Sequence, residues 1–222
     1  MSSVKPFAPV PAQADAALES KQTRIMDAAL QLFLRHGYRK VSMSDIAEAA
    51  QMSRPSLYAA FANKESVFAA QVQRQRMLCV AETECRVRSD QDLRTQLQHL
   101  FDIWVLEPVA AVIDSANGID LISNCGVYAP GALDDLYSHM ETKLVQVLRP
   151  QMGADSAMSA ADLAYILRLA TTSLKASTDN AAVLRRLIAG LITMALATAG
   201  VRTPQAPATP RRPARKKPAA RS

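Results

Sequence analysis

The sequence predicts an all-α protein, with three N-terminal helices followed by a larger helical body. Three observations point there. Of the 222 residues, 49% are apolar and only seven are Gly, a composition typical of folded, helix-rich chains. Apolar residues recur at i, i+3, i+4 and i+7 through most of the chain, with no convincing strand and no internal repeat. The breaks between these stripes carry helix signals: Ser, Asn or Asp at the starts, Gly or Pro at the ends.

The elements follow in order. From Lys21, the residues Ile25, Ala28, Ala29, Leu32 and Phe33 form one apolar stripe, and Gly37 is a suitable stop. A short second helix begins after Ser42, its expected N-cap, with Asp45 three residues on as a capping-box variant. Ile46, Ala47 and Ala50 should face inward. Gln51–Met52–Ser53 form a three-residue break, and Ser53 caps a third helix running to about Phe61. Pro55 is tolerated in its first turn, where amides need no intrahelical partner. Asn63 caps a long helix over about Lys64–Arg88. Further helices are expected from Asp92 to about Leu106, stopped by Pro108; from Val109 to Ser115; a short piece over Ile119–Asn124; from Gly131 to Arg149; from Ser159 to Ser177; and from Asp179 to Ala199.

Charge is unevenly spread. Residues 21–76 hold nine Lys/Arg against four acids, residues 77–202 ten against fourteen, and residues 203–222 six with no acid. A basic N-terminal region, an acidic body and a basic tail suggest nucleic-acid contact at the basic end. Solvated surface charge would give the same counts. The first 20 residues lack an apolar core and read as a disordered leader rather than a signal peptide. Residues 203–222 read as a disordered basic tail that adds salt-dependent DNA affinity or merely solubilises. No run of about 18 apolar residues is evident, so no membrane span is expected. Cys79, Cys85 and Cys125 are odd in number and lack metal-type spacing, which points to free thiols in a reducing cytoplasm. No cofactor or metal site is expected, and the scattered His36, His99 and His139 belong to no nucleophile–base motif.

The segment "AQMSRPSLYAAFANKES" (50–66) joins a helix, a short turn and a second short helix. That is a helix-turn-helix, whose second helix suits the DNA major groove. Leu57 and Phe61 lie on one face, and Arg54 and Tyr58 on the other. Arg is well suited to bidentate contact with guanine, and Pro55 offers apolar contact to a base. Ser56, Tyr58 and Lys64 suit phosphates, as does Ser42 at the start of the preceding helix. Singly, each has a plainer role as cap, packing residue or solvated charge. Their combined spacing carries the reading.

Residues 23–68 resemble the DNA-binding domain of the TetR (tetracycline-repressor) family of bacterial transcriptional regulators. The matching pieces are "RIMDAALQLFLRHGY", "VSMSDIAEAA", "SRPSLYAAF" and "NKES". The resemblance implies that Tyr58 and Lys64 contact phosphates and that Ser56 touches the backbone. It places Arg54 and Pro55 at base-reading positions, and Ser44 where a base is sometimes read. One departure stands out. Gln51 occupies a turn position where the family usually has Gly. Either Gln51 adopts φ > 0, at about 1 kcal/mol relative to Gly, or the turn is reshaped.

The resemblance further implies a ligand-binding and dimerisation domain over residues 67–202, after a DNA-binding domain over 21–66. Phe101, Trp104, Tyr128 and Tyr137, with Met77 and Met140, are candidates to line a cavity, although each also suits an ordinary core position. Leu163, Ile166, Leu167, Ala170 and Leu174 form one apolar stripe, and the residues from Val183 to Leu196 form a broader one. Helices apolar over so much of their circumference suit a homodimer bundle. The implied protein is a repressor with a palindromic operator and a small-molecule effector. An architectural DNA binder and an enzyme are the competing classes.

Overall fold

The computed structural model describes residues 12–153 and 156–201. Every regular element among them is helical. The expected disordered tail, like residues 1–11 of the expected leader, lies outside the described residues.

Helix α1 spans Ala12–His36 and so begins nine residues before Lys21. Its extra turns read "AQADAALES", rich in Ala, the residue with the highest helix propensity. Gly37 ends α1 with φ +86°, its amide returning to the Phe33 carbonyl at 2.9 Å. A 3₁₀ turn, Tyr38–Lys40, leads to α2, Met43–Ala49. The expected Ser42 cap forms as a full capping box. The Asp45 amide donates to Ser42 Oγ at 3.3 Å, and the Ser42 amide donates to Asp45 Oδ2 at 2.8 Å. Helix α3, Arg54–Ala60, is capped by Ser53 Oγ, which accepts from the Ser56 amide at 3.3 Å. Ile25, Phe33, Ile46 and Leu57 are fully buried between these three helices. Burial of this kind contributes about 1.5–3 kcal/mol for each large apolar side chain.

Gln51 settles the question its position raised. It adopts φ +54°, the only left-handed non-Gly residue among those described. Its amide donates to the Glu48 carbonyl, and the Met52 amide to the Ala47 carbonyl, both at 3.0 Å. This pair of bonds is the Schellman closure of a helix end, which requires a left-handed residue at the Gln51 position.

Helix α4, Lys64–Arg86, is shared by both halves of the molecule. Its first turns pack on α1 through Phe68, edge-on to Phe33 at 5.9 Å. Its later turns bury Val72, Cys79 and Thr83 in the body.

Pro108 was expected to stop the next helix. The helical path instead continues from α5, Leu93–Phe101, through a π-turn at Asp102–Leu106 into α6, Glu107–Ala110, with Pro108 inside. In the wider register the Glu107 amide reaches the Asp102 carbonyl. Pro108 has no N–H to give the next carbonyl, that of Ile103. The buried Cys79 thiol donates to it instead at 3.4 Å. Trp104, within the π-turn, donates its Nε1–H to Thr83 Oγ1 at 2.8 Å, and Thr83 donates on to the Cys79 carbonyl at 2.7 Å. The proline is tolerated because α4 satisfies the groups it leaves open.

Two short helices, α7 (Gly118–Ser123) and α8 (Cys125–Tyr128), lead to α9, Pro130–Leu148, which packs against α4 and α5. Helices α10, Ala160–Ser177, and α11, Ala181–Thr198, close the body. Helix α11 is long and apolar enough to cross a membrane by length and composition, with mean hydropathy 1.6, although Arg185 and Arg186 interrupt it and no unbroken run of about 18 apolar residues is present, as expected. Yet Leu184, Ile188, Ile192, Ala195 and Leu196 are buried, and the helix packs on α5 and α10. Its hydropathy reflects a second apolar face that remains exposed.

Candidate nucleic-acid interface and ligand cavity

Helix α3 turns Leu57 into the core and leaves Arg54, Pro55 and Tyr58 exposed. Arg54 and Tyr58, one turn apart, form an outward pair with no intramolecular hydrogen bond among the described residues. Pro55 stands in the first turn between them. Ser56 and Ser44 are half-buried, and the Ser56 amide is already used by the Ser53 cap. Exposed Arg35, Arg39 and Lys40 add positive charge around the end of α1. The sequence reading did not single these out, although their density was visible in the charge count.

Two expected phosphate contacts have other partners within the chain. Ser42 Oγ donates to Asp45 Oδ2 at 2.8 Å. The Ser42 backbone and side-chain hydrogen bonds hold the exposed Asp45 carboxyl below its usual range. Lys64 Nζ donates to the carbonyls of Tyr38 and Val41 at 2.8 and 3.0 Å and lies 4.4 Å from the Tyr38 ring centre. An ammonium has three N–H groups, so one remains. Lys64 fastens the α1–α2 connection to the start of α4, a role that spacing alone did not reveal.

The body carries a cavity of about 170 Å³ that is open on one side. Leu30 of α1 and Phe68, Gln71, Val72 and Gln75 of α4 line one side. Trp104, Pro108, Leu121, Cys125, Tyr137 and Lys175 are among those lining the rest. Of the four aromatic candidates the structure brings Trp104 and Tyr137 to this space. Phe101 is fully buried and Met140 likewise, both outside the lining, while Met77 is exposed. Tyr128 stacks on Tyr38 at 3.9 Å and 17°, joining Phe33 and Phe68 in an aromatic cluster. The rings of Phe101 and Tyr128 go to other neighbours, a matter of tertiary packing that periodicity does not encode. Lys175 was missed. Its signal is a lone cation in the otherwise uncharged segment "LATTSLKAS".

Burial pushes the Cys125 thiol up to about 11, so it faces the cavity as a neutral group. Burial, with the charge of Glu65 adding, raises the Tyr38 phenol well above its usual range. Among the described residues no group of three His, Cys, Asp or Glu is placed to hold a metal ion.

The helix that contributes Leu121 and Ile122 to the cavity, α7, touches the N-terminal helices directly. The Asn117 amide and its Nδ2 both donate to the Leu34 carbonyl near the end of α1, each at 3.1 Å. Gly118 follows, and a Cβ there would fall 1.8 Å from the Val112 carbonyl oxygen. Only glycine lets α7 begin so close to the segment that carries Val112.

Residues 25–70 match the family described as bacterial regulatory proteins, tetR family. Residues 25–70 thus form a domain of this family. Over 110 residues, 49% of this chain, it is 30% identical to the HTH-type transcriptional repressor ComR of Escherichia coli (strain K12). The chain spans about half the length of that curated relative, 51%. Among solved structures it is similar to a putative TetR-family transcriptional regulator from a Rhodococcus species, with TM-score 0.64 and 14% identity over 80% of this chain and 99% of that one. It is also similar to GusR of Salmonella enterica, with TM-score 0.61 and 19% identity over 82% and 96%. At such identities these two likenesses speak for the fold. The chain thus has the two-domain, all-α fold of these structures.

Proposed function

We propose that this chain is a dimeric, ligand-responsive repressor that binds a palindromic operator and leaves it when a small molecule enters the cavity. The observation that carries the reading is the outer face of α3, where Arg54, Pro55 and Tyr58 stand exposed on a capped helix one turn from the α2 end. Arg54 and Pro55 read bases, and Ser44 reaches the groove edge beside them. Tyr58 and Ser56 hold the phosphates, joined by the remaining N–H of Lys64, while Ser42 gives its amide and hydroxyl to Asp45 and serves as the cap of α2. A repressor is favoured over an activator by the printed name of the curated relative. The reading is of a cytoplasmic, non-enzymatic protein, with the basic tail adding sequence-independent affinity.

Dimerisation through α10 and α11 is supported by their outer faces. Tyr165, Ile166 and Leu169 on α10 are exposed by 48, 48 and 45%, and Met194 on α11 by 65%. A two-fold pairing of these helices buries them and sets two α3 helices about one DNA turn apart.

Leu30 and the Asn117 bonds to Leu34 support the coupling. A ligand that displaces α7 pulls on the end of α1 and shifts the population toward a state whose two α3 helices no longer match the half-sites. A coupling of about 2.7 kcal/mol corresponds to a hundredfold change in operator affinity. Fluorescence anisotropy on the DNA upstream of the gene, with a scrambled duplex as reference, tests the reading. Arg54→Ala should lose about 1–3 kcal/mol of preference for the specific duplex and keep its affinity for the scrambled one. Equal loss on both duplexes would remove Arg54 as a reading residue.

A further inference from the structure

We propose that the effector is a compact amphipathic anion, a single carboxylate on an apolar body of about ten non-hydrogen atoms, with Lys175 as its counter-ion. The inference rests on the cavity being the effector site and deepens that reading. The lining is apolar over most of its circumference and contains no Asp or Glu. Lys175, on α10, is its one charged residue. It makes no ion pair and no hydrogen bond among the described residues. Its Nζ lies 4.9 Å from the centre of the Tyr137 ring, also in the lining. That contact holds the ammonium beside the cavity without neutralising it. A half-buried cation in apolar surroundings is costly when unpaired, so an incoming anion gains what the empty site lacks.

A second polar group points the same way. Gln71, in the lining, has a buried amide oxygen with no partner. Its amide is free to serve a ligand, through the oxygen to a hydroxyl or, turned over, through the NH₂ to a carboxylate. Cys125 adds a neutral thiol rather than a competing anion. Size sets the remaining limit. About 170 Å³ is near the space that takes one benzene-sized molecule. An aromatic or short aliphatic acid fits within it, and a longer chain would have to extend out through the open side.

The assay is built into the chain, because its single tryptophan, Trp104, lines the cavity. Benzoate, phenylacetate and hexanoate are titrated into the full-length protein while Trp104 emission is followed. Benzyl alcohol serves as the neutral analogue and choline as a small cation. The acids should change the emission saturably and bind at least about tenfold more tightly than benzyl alcohol (about 1.4 kcal/mol), and choline should not bind. Lys175→Met, which keeps the length and apolar stem, should erase the preference while the thermal midpoint shows the fold intact. Lys175→Arg should largely keep it. Benzyl alcohol matching the acids, or a preference that survives Lys175→Met, would overturn the anion inference and leave the cavity as effector site standing. If no probe, acidic or neutral, moves Trp104 or releases DNA, both readings fall together.

Discussion

Gln51→Gly should stabilise the protein. Gln51 closes the α2 end at φ +54°, where a side chain costs about 1–2 kcal/mol and glycine nothing. Glycine in turn loses more backbone freedom on folding, about 0.5–1 kcal/mol. The difference is about 0.5–1 kcal/mol in favour of the variant. For a folded unit of this size 1 kcal/mol moves Tm by about 2–4 °C, so the shift should be about 1–4 °C. Gln51→Ala is the matched control, because alanine keeps the Cβ that is strained in this conformation and the bonds to Glu48 and Ala47 are made by the backbone. Scanning calorimetry on the three proteins reads the result. If Gln51→Gly melts no higher than Gln51→Ala, the left-handed turn and the docking angle of α3 that follows from it are wrong.

Three further outcomes follow from contacts described above. Thr83→Val should destabilise by about 1–3 kcal/mol in urea unfolding, since the buried Trp104 N–H loses its acceptor; a cost under a few tenths would mean the indole finds another partner. Asn117→Ala removes the side-chain bond from the cavity wall to Leu34. It should leave Trp104-detected ligand binding near the parent value and weaken ligand-driven DNA release severalfold. Acid should loosen the DNA-binding helices as the Asp45 carboxyl takes up its proton. The Asp45 carboxyl is held below its ordinary range by the Ser42 hydrogen bonds, so its contribution is full above the unfolded carboxylate pKa and is lost as pH falls through the lowered folded one. Asp45→Asn should flatten the acid limb of a helicity-versus-pH curve, and an unchanged limb would place the acid sensitivity elsewhere.

What was legible in the sequence is local. Ser42, Ser53 and Asn63 each cap a helix because a side-chain oxygen three residues upstream of a free amide has one geometry to satisfy. The α2–α3 turn and the outward pair Arg54 and Tyr58 could be read for the same reason. Pro108 shows the limit. Its local signal says stop, but Cys79 and the π-turn, 29 and a few residues away, supply the missing bonding. The cavity shows it again. Trp104 and Tyr137 reach it, while Tyr128 leaves to stack on Tyr38, 90 residues distant in sequence. The fastening role of Lys64 could not be read, because its carbonyl partners belong to the α1–α2 connection. Helix α1 begins early because alanine-rich sequence continues a helix once α1 is nucleated by its packed end.

The central claim is that α3 reads a specific, two-fold symmetric DNA site. A nuclease-protection footprint of the full-length protein on the DNA upstream of its own gene tests it most directly. The account predicts a protected palindrome with half-sites about one helical turn apart, erased by Arg54→Ala at concentrations where non-specific binding persists. Uniform protection without a palindrome, or a footprint that Arg54→Ala leaves unchanged, would contradict it.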